Sequence, residues 1–203
     1  WWGDDLDVRF YLLSQIINFK NKKILDIGCN VGVTLSFLDS SNELFGLDIN
    51  KKFLSEAKKI NPGVNFSNLS MNKLPYKSDF FDVILMMNVI PSYDFKLNNP
   101  NKNEFIEQTF NEVYRVLKKN GRLYLSTPNG DSFYYSSGKI KFAELQDLLG
   151  QYNYELKISG WNSIFSRHFS FLAKLLHPKV LCLSNKLWQY LVTTISSNVL
   201  ESK

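Results

Sequence analysis

Short apolar runs alternate with amphipathic segments from Ile24 to Ser159, and this alternation constrains the fold more than any other feature of the chain. Ile24–Ile27, Leu44–Asp48, Val64–Phe66, Phe81–Met87, Arg122–Thr127 and Tyr154–Ser159 read as strands of the fully buried type. Between them, Val33–Leu38, Lys51–Ile60, Glu104–Leu117 and Lys141–Leu149 read as helices, and residues 4–19 place Leu6, Phe10, Leu13, Ile16 and Ile17 at helical spacing. Asn61-Pro62-Gly63 ends the second of these helices, and Asn120-Gly121 is a candidate left-handed cap after Leu117. Strands that alternate with helices build βαβ units, so the expected architecture is α/β with a mostly parallel sheet. Ile27, Leu47, Val83, Ile84 and Leu125 are the expected core positions. In such sheets ligands bind beyond the carboxyl ends of the strands. The loops after Ile27, Asp48, Phe66, Met87 and Thr127 are therefore where chemistry is to be sought.

With 203 residues the chain has the size of one domain, and no linker, repeat or low-complexity tract divides residues 1–203. A hydrophobic share of 44% is enough for a sizeable core without staples and argues against disorder. The formal charge of +5 permits an anionic partner without requiring one; lysines on a solvated surface account for it equally well. Cys29 and Cys182 are too few for a disulfide framework and lack metal-ligand spacing, which points to a reduced, cytoplasmic setting with no metal. No apolar run reaches membrane-spanning length. The sequence begins at Trp1 rather than Met, which leaves open what precedes it.

The loop after the first strand reads Asp26-Ile27-Gly28-Cys29-Asn30-Val31-Gly32. A tight strand-to-helix turn needs residues that accept positive φ; Gly28 and Gly32 do, and Asn30 is among the few other residue types that tolerate it. Asp48 ends the second strand about 20 residues further on, where a carboxylate can accept hydrogen bonds from the two ribose hydroxyls of a nucleoside. A simpler role, capping the helix that starts near Lys51, is compatible with the first. A dinucleotide reading is disfavoured, because Asp26 beside a pyrophosphate is repulsive, whereas it suits a ligand with a cationic amino group. Cys29 fits a small packing residue better than a nucleophile, and His168 and His177 lie among aromatic and aliphatic neighbours in sequence.

Four segments in order resemble the class I S-adenosylmethionine-dependent methyltransferases. They are ILDIGCNVG, LFGLDIN, LPYKSDFFDVILMMNVI and EVYRVLKKNGRLYLSTPN, within a likeness running from Lys22 to Ser159. The small-molecule members, of the ubiquinone/menaquinone-like group, are the most similar in kind. The resemblance implies a Rossmann-like seven-stranded sheet of order 3-2-1-4-5-7-6 with helices on both faces. It implies S-adenosylmethionine as cofactor and S-adenosylhomocysteine as product. It sets Asp26, Gly28, Cys29, Asn30 and Gly32 around the methionine moiety, Asp48 on the ribose, Ile49 and Met71 beside the adenine, and Asn88 and Val89 along the cofactor after the fourth strand. Many relatives carry an acid one position before Met71, where this chain has Ser70, and Glu-His where it has Pro91-Ser92.

Tyr93, Asn129, Asp131 and Tyr134 follow the fourth and fifth strands and are expected to border the acceptor pocket, with Asp131 the candidate base. Asn88, Pro91 and Tyr93 are not contiguous, so the Asn-Pro-Pro-Tyr signature of amino-methylating nucleic-acid enzymes is not met, and no Pro-Cys pair supports a cytosine carbon methylase. The expected partner is thus a small molecule rather than nucleic acid, and the expected reaction is O-methylation of a saccharide, lipid-linked or quinone-like acceptor. RNA methylation and cofactor binding without catalysis are the competing readings. Residues 161–196 carry two apolar stripes broken at Pro178 and read as a helical insertion before a last strand at Asn198–Lys203. A lid, a peripheral membrane contact, a subunit interface and plain packing all remain open for it, as does the oligomeric state.

Overall fold

The computed structural model describes residues 13–90, 102–127 and 142–152. Five strands form one sheet: β1 (Lys23–Ile27), β2 (Glu43–Leu47), β3 (Asn65–Ser67), β4 (Phe81–Met87) and β5 (Leu117–Ser126). Their order is β3-β2-β1-β4-β5, and all four neighbouring pairs are parallel. This is the expected order for the first five strands. The sixth and seventh, at Tyr154–Ser159 and Asn198–Lys203, lie outside the described residues, as do the insertion at 161–196 and most of the N-terminal helix, of which residues 13–16 are helical.

The sheet buries both faces, as parallel sheets do. Leu25, Ile27, Phe45, Leu47, Ile84 and Met86 alternate onto one face and join a cluster with Ile106, Phe110, Val113 and Val116 of helix α2 (Lys102–Val116). Leu149, from helix α3 (Phe142–Gly150), and Tyr152 close that cluster. The intervening residues Ile24, Val83 and Leu85 are buried on the opposite face. Phe110 and Ile84 are fully buried, each contributing on the order of 1.5–3 kcal/mol of apolar transfer. Of the five expected core positions, Ile27, Leu47, Val83 and Ile84 are buried, while Leu125 is half-buried against the cluster.

Helix α1 (Lys51–Ile60) starts and stops where its sequence signals lie. Its cap is Asn50, whose side chain accepts from the Lys52 and Phe53 N–H groups, and not Asp48. Two other boundaries differ from expectation. Val33–Leu38 supports only a 3-10 turn at Leu35–Phe37. The Ser36 hydroxyl donates to the Val33 carbonyl at 2.7 Å, and the chain must turn at Asp39 to enter β2 four residues later, which leaves no room for an α-helix. Asn120-Gly121 is not a left-handed cap either: both residues lie inside β5, which follows α2 directly. The residues between Leu117 and Arg122 bulge out, so that Phe81 pairs with Leu117 and Val83 with Arg122. Gly121 is needed there for space, since a Cβ would meet the Leu117 side chain at 2.6 Å.

The candidate cofactor cradle

Strand order reverses at β1, which has β2 on one side and β4 on the other. The crevice above the carboxyl ends of β1 and β4 is thus the place for a ligand. The chain leaves β1 through Gly28 at φ +71°, Asn30 at φ +53° and Gly32 at φ +75°. Asn30 occupies the left-handed conformation expected of it. Across the crevice Asn88 also has positive φ, at +54°, its N–H donating to the Ser126 carbonyl at 2.9 Å. The next residue, Val89, leans over the first loop: a Cβ on Gly28 would lie 2.0 Å from Val89 Cγ1.

Every N–H of the loop from Gly28 to Gly32 has a partner inside the protein. Gly28 and Cys29 donate to the Leu47 carbonyl at 2.7 and 3.0 Å, and Gly32 donates to the Cys29 carbonyl at 2.9 Å. Val31 donates to the Asn30 side chain at 2.8 Å, and Asn30 to Asp48 Oδ2 at 2.9 Å. The amides that cradle a pyrophosphate in dinucleotide sites are therefore occupied here. At its far end the loop is pinned by Asn61, whose side-chain amide donates to the Gly32 carbonyl at 3.0 Å.

Asp48 is held from both sides, Oδ2 by the Asn30 N–H and Oδ1 by the Asn50 N–H at 2.8 Å. Its own carbonyl and that of Ile49 both accept from the Asn68 side chain, at 2.9 and 2.8 Å. An ionised carboxylate has about four acceptor positions. Two are taken by backbone, and the half-exposed carboxylate keeps capacity for two hydroxyl donors. Beside it, Ile49 is 55% exposed and Phe53, one turn on, 40% exposed, an apolar surface next to a carboxylate. Met71 turns its side chain into the core, so only its backbone faces this region. Ser70 is exposed and donates to Asn72 Oδ1 at 2.7 Å.

Asp26 is buried at the end of β1. Cys29 is buried as well; burial, reinforced by the Asp26 and Asp48 carboxylates, pushes its thiol far above the ordinary range. That state suits packing, as expected, and not nucleophilic attack. Asp26, Gly28, Cys29, Asn30, Gly32, Asp48, Ile49, Asn88 and Val89 thus come together around one crevice, with Met71 at its edge. Tyr93, Asn129, Asp131 and Tyr134 lie outside the described residues. The contribution of Asn68, which fixes both carbonyls after β2, was not anticipated; its only sequence signal is an Asn just after β3.

A hydroxyl-accepting carboxylate, a flanking apolar surface, a buried carboxylate and a loop with no amide to spare fit a cationic nucleoside. S-adenosylmethionine has that character, with its ribose hydroxyls, adenine and charged amino and sulfonium groups. Fold and loop geometry together define a Rossmann-like α/β domain. The chain belongs to the methyltransferase-domain family, whose model matches residues 18–191, and its cofactor is S-adenosylmethionine.

Among curated proteins it is similar to an uncharacterised protein of Methanocaldococcus jannaschii, at 24% identity over 88% of this chain and 72% of the relative. It is also similar to the ribosomal protein L11 methyltransferase of Prochlorococcus marinus, at 35% identity over 54% of this chain and 36% of the relative. A third relative is the malonyl-[acyl-carrier protein] O-methyltransferase of Buchnera aphidicola, at 30% identity over 61% and 46%. The chain thus spans less than half the length of the last two. Two solved structures share the fold. The YcgJ protein of Bacillus subtilis does so with a TM-score of 0.63 at 20% identity, covering 77% of this chain and 72% of that one. An S-adenosylmethionine-dependent methyltransferase of Thermotoga maritima does so with 0.54 at 21%, covering 75% of each. Among the described residues no helix is long and apolar enough to cross a membrane.

Proposed function

We propose that this methyltransferase transfers a methyl group to an oxygen of a small-molecule acceptor, of saccharide, lipid-linked or quinone-like chemistry. The observation that carries the reading is the cradle itself, in which Asp48 is pre-set by the Asn30 and Asn50 amides beside exposed Ile49. Oxygen as acceptor atom is supported by the similarity to the malonyl-[acyl-carrier protein] O-methyltransferase and by the lack of a contiguous Asn-Pro-Pro-Tyr motif.

The bound cofactor supplies an electrophilic methyl on a sulfonium. Asp26 complements the cationic amino end, Asp48 receives the ribose hydroxyls, Ile49 and the Met71 backbone flank the adenine, and Asn88 and Val89 close the crevice from the β4 side. The protein's contribution is alignment and exclusion of water, since displacement at the methyl carbon needs the two reactants in line. A base is required only to take the proton of a hydroxyl acceptor, and Asp131 is the residue we assign to it, with Tyr93, Asn129 and Tyr134 bordering the acceptor.

The test is incubation of the protein with methyl-labelled S-adenosylmethionine and a cell extract, followed by separation of small molecules, RNA and protein. Label in a small molecule, released by ester or ether cleavage, is the expected result. Label in RNA or protein overturns it. Asp131→Asn should then lower turnover where the carboxylate is ionised and lose its effect as pH falls through the carboxylate range; turnover unchanged across pH removes Asp131 as the base.

A further inference from the structure

The segment from Ser70 to Phe80 contains neither strand nor helix, and it carries Met71. Its backbone is satisfied by one polar stripe of α2. Gln108, Glu112 and Arg115 stand at i, i+4 and i+7 and so share a helix face. Glu112 Oε2 accepts the Leu74 N–H at 2.7 Å, and Arg115 donates to the Leu74 carbonyl at 2.9 Å and the Tyr76 carbonyl at 2.7 Å. Arg115 is meanwhile bidentate to Glu112, at 2.7 and 2.8 Å. The Asn72 amide donates to Gln108 Oε1 at 3.0 Å. Leu74 thus has both of its backbone groups bound by an ion pair, in the manner of a residue inside a ladder. The charge-assisted bonds make that hold stiffer than neutral ones would. A recess between the segment and the helix is lined by Asn72, Lys73 and Leu74 on one side and by Gln108, Asn111, Glu112 and Arg115 on the other.

We propose that Glu112 and Arg115 are positioning residues for the cofactor: they fix the height of the Ser70–Met71 turn against α2, and thereby set affinity at the adenine end. The inference rests on the reading that Met71 flanks the adenine. Met71 and Leu74 are buried three residues apart, so the clamp on Leu74 determines where the Met71 backbone sits. Guanidinium geometry is required, because only a planar fork reaches two carbonyls and a carboxylate together. Lysine, whose three donors all sit on one nitrogen, cannot span these acceptors.

Calorimetry with S-adenosylhomocysteine separates the inference from the reading beneath it. Ser70→Asp installs the acid that many relatives carry beside the adenine amino group. If the turn lies at the adenine, it should tighten binding several-fold. Arg115→Lys should weaken binding by about tenfold, the loss of roughly one net hydrogen bond. It should also abolish the gain from Ser70→Asp when the two are combined. Glu112→Gln, which keeps an acceptor for the Leu74 N–H, should retain most of the affinity lost in Glu112→Ala. A gain from Ser70→Asp with unchanged affinity in Arg115→Lys would overturn the clamp while leaving the adenine reading intact. No effect of Ser70→Asp, with Arg115→Lys lowering only the unfolding midpoint, would overturn both and leave the pair a fold staple.

Discussion

The Asn30 N–H donates to Asp48 Oδ2 at 2.9 Å, so a residue of the first loop orients the carboxylate at the end of the neighbouring strand. This couples two motifs that are 18 residues apart in the chain. The left-handed φ of Asn30 makes the bond possible by turning its N–H toward β2. Asn30→Gly should therefore preserve the conformation and the donor to Asp48, losing only the side-chain acceptor of the Val31 N–H, and leave affinity for S-adenosylhomocysteine within a few-fold of wild type. Asn30→Ala must pay about 1–2 kcal/mol to stay left-handed, and should lose that amount of stability in urea unfolding.

Asp48→Ala removes two prospective hydroxyl acceptors and orphans two backbone amides. At about 0.5–1.5 kcal/mol per bond, affinity for S-adenosylhomocysteine should fall by roughly tenfold or more. The unfolding midpoint should fall with it, because the Asn30 and Asn50 N–H groups lose their acceptor. Calorimetry and thermal unfolding on one preparation measure the two losses. Undiminished affinity would remove Asp48 from the site.

Gly28→Ala meets two obstacles, a positive φ and Val89 Cγ1 at 2.0 Å from the new methyl. The expected loss is about 1–3 kcal/mol from the backbone alone, with overpacking of similar size added. Val89→Ala in the same chain should relieve the second part and not the first. Denaturant unfolding of the single and double variants gives the partition.

The raised pKa and burial of Cys29 predict an inert thiol. In a Cys182→Ser background, alkylation at neutral pH should be negligible in the native protein and complete in denaturant. Mass spectrometry after iodoacetamide treatment reads this directly. Rapid native labelling would contradict the packing role.

Two paired carboxylates contribute to acid stability. The Arg115 guanidinium holds Glu112 below the usual carboxylate range; burial opposes it and the Leu74 N–H adds to it. Burial pushes Asp82 up, but Lys118 and the Lys23 N–H outweigh burial and leave it lowered. Between the folded and unfolded pKa values the unfolded chain binds more protons, so stability rises with pH there. The contribution is complete above the unfolded carboxylate range and is lost as pH falls through the folded values. Unfolding midpoints should thus be level at neutral pH and decline below about pH 5. Glu112→Gln and Asp82→Asn should each flatten that decline.

Elements whose signals are local were legible in the sequence. Lys51–Ile60 and Phe81–Met87 have the bounds that periodicity and punctuation assign them. The cradle was legible for the same reason, since Gly28, Asn30 and Gly32 announce their backbone conformation through residue type. Where competition between neighbours decides, sequence was less informative. Asn120-Gly121 resembles a helix stop, but pairing of Arg122 with Val83 draws the chain straight into β5. Val33–Leu38 carries helical spacing, but the distance to β2 is too short to use it. Asp48 and Asn50 are both good caps, and only geometry shows that Asn50 caps α1 while Asp48 bridges to the first loop. Acceptor chemistry depends on loops after β4 and β5, whose residue types admit several substrates.

The loop from Gly28 to Gly32 spends all five of its amides internally. Adenosine is displayed in a cell mostly on phosphorylated carriers, which far outnumber the methyl donor and share its sugar and base. Against that background, size or shape offers little discrimination. A turn with no donor to offer a phosphate, flanked by two carboxylates, is a poor host for such carriers on charge alone. What the first loop withholds is thus expected to disfavour adenine nucleotides, which competition calorimetry of S-adenosylhomocysteine against ATP would read as little or no displacement.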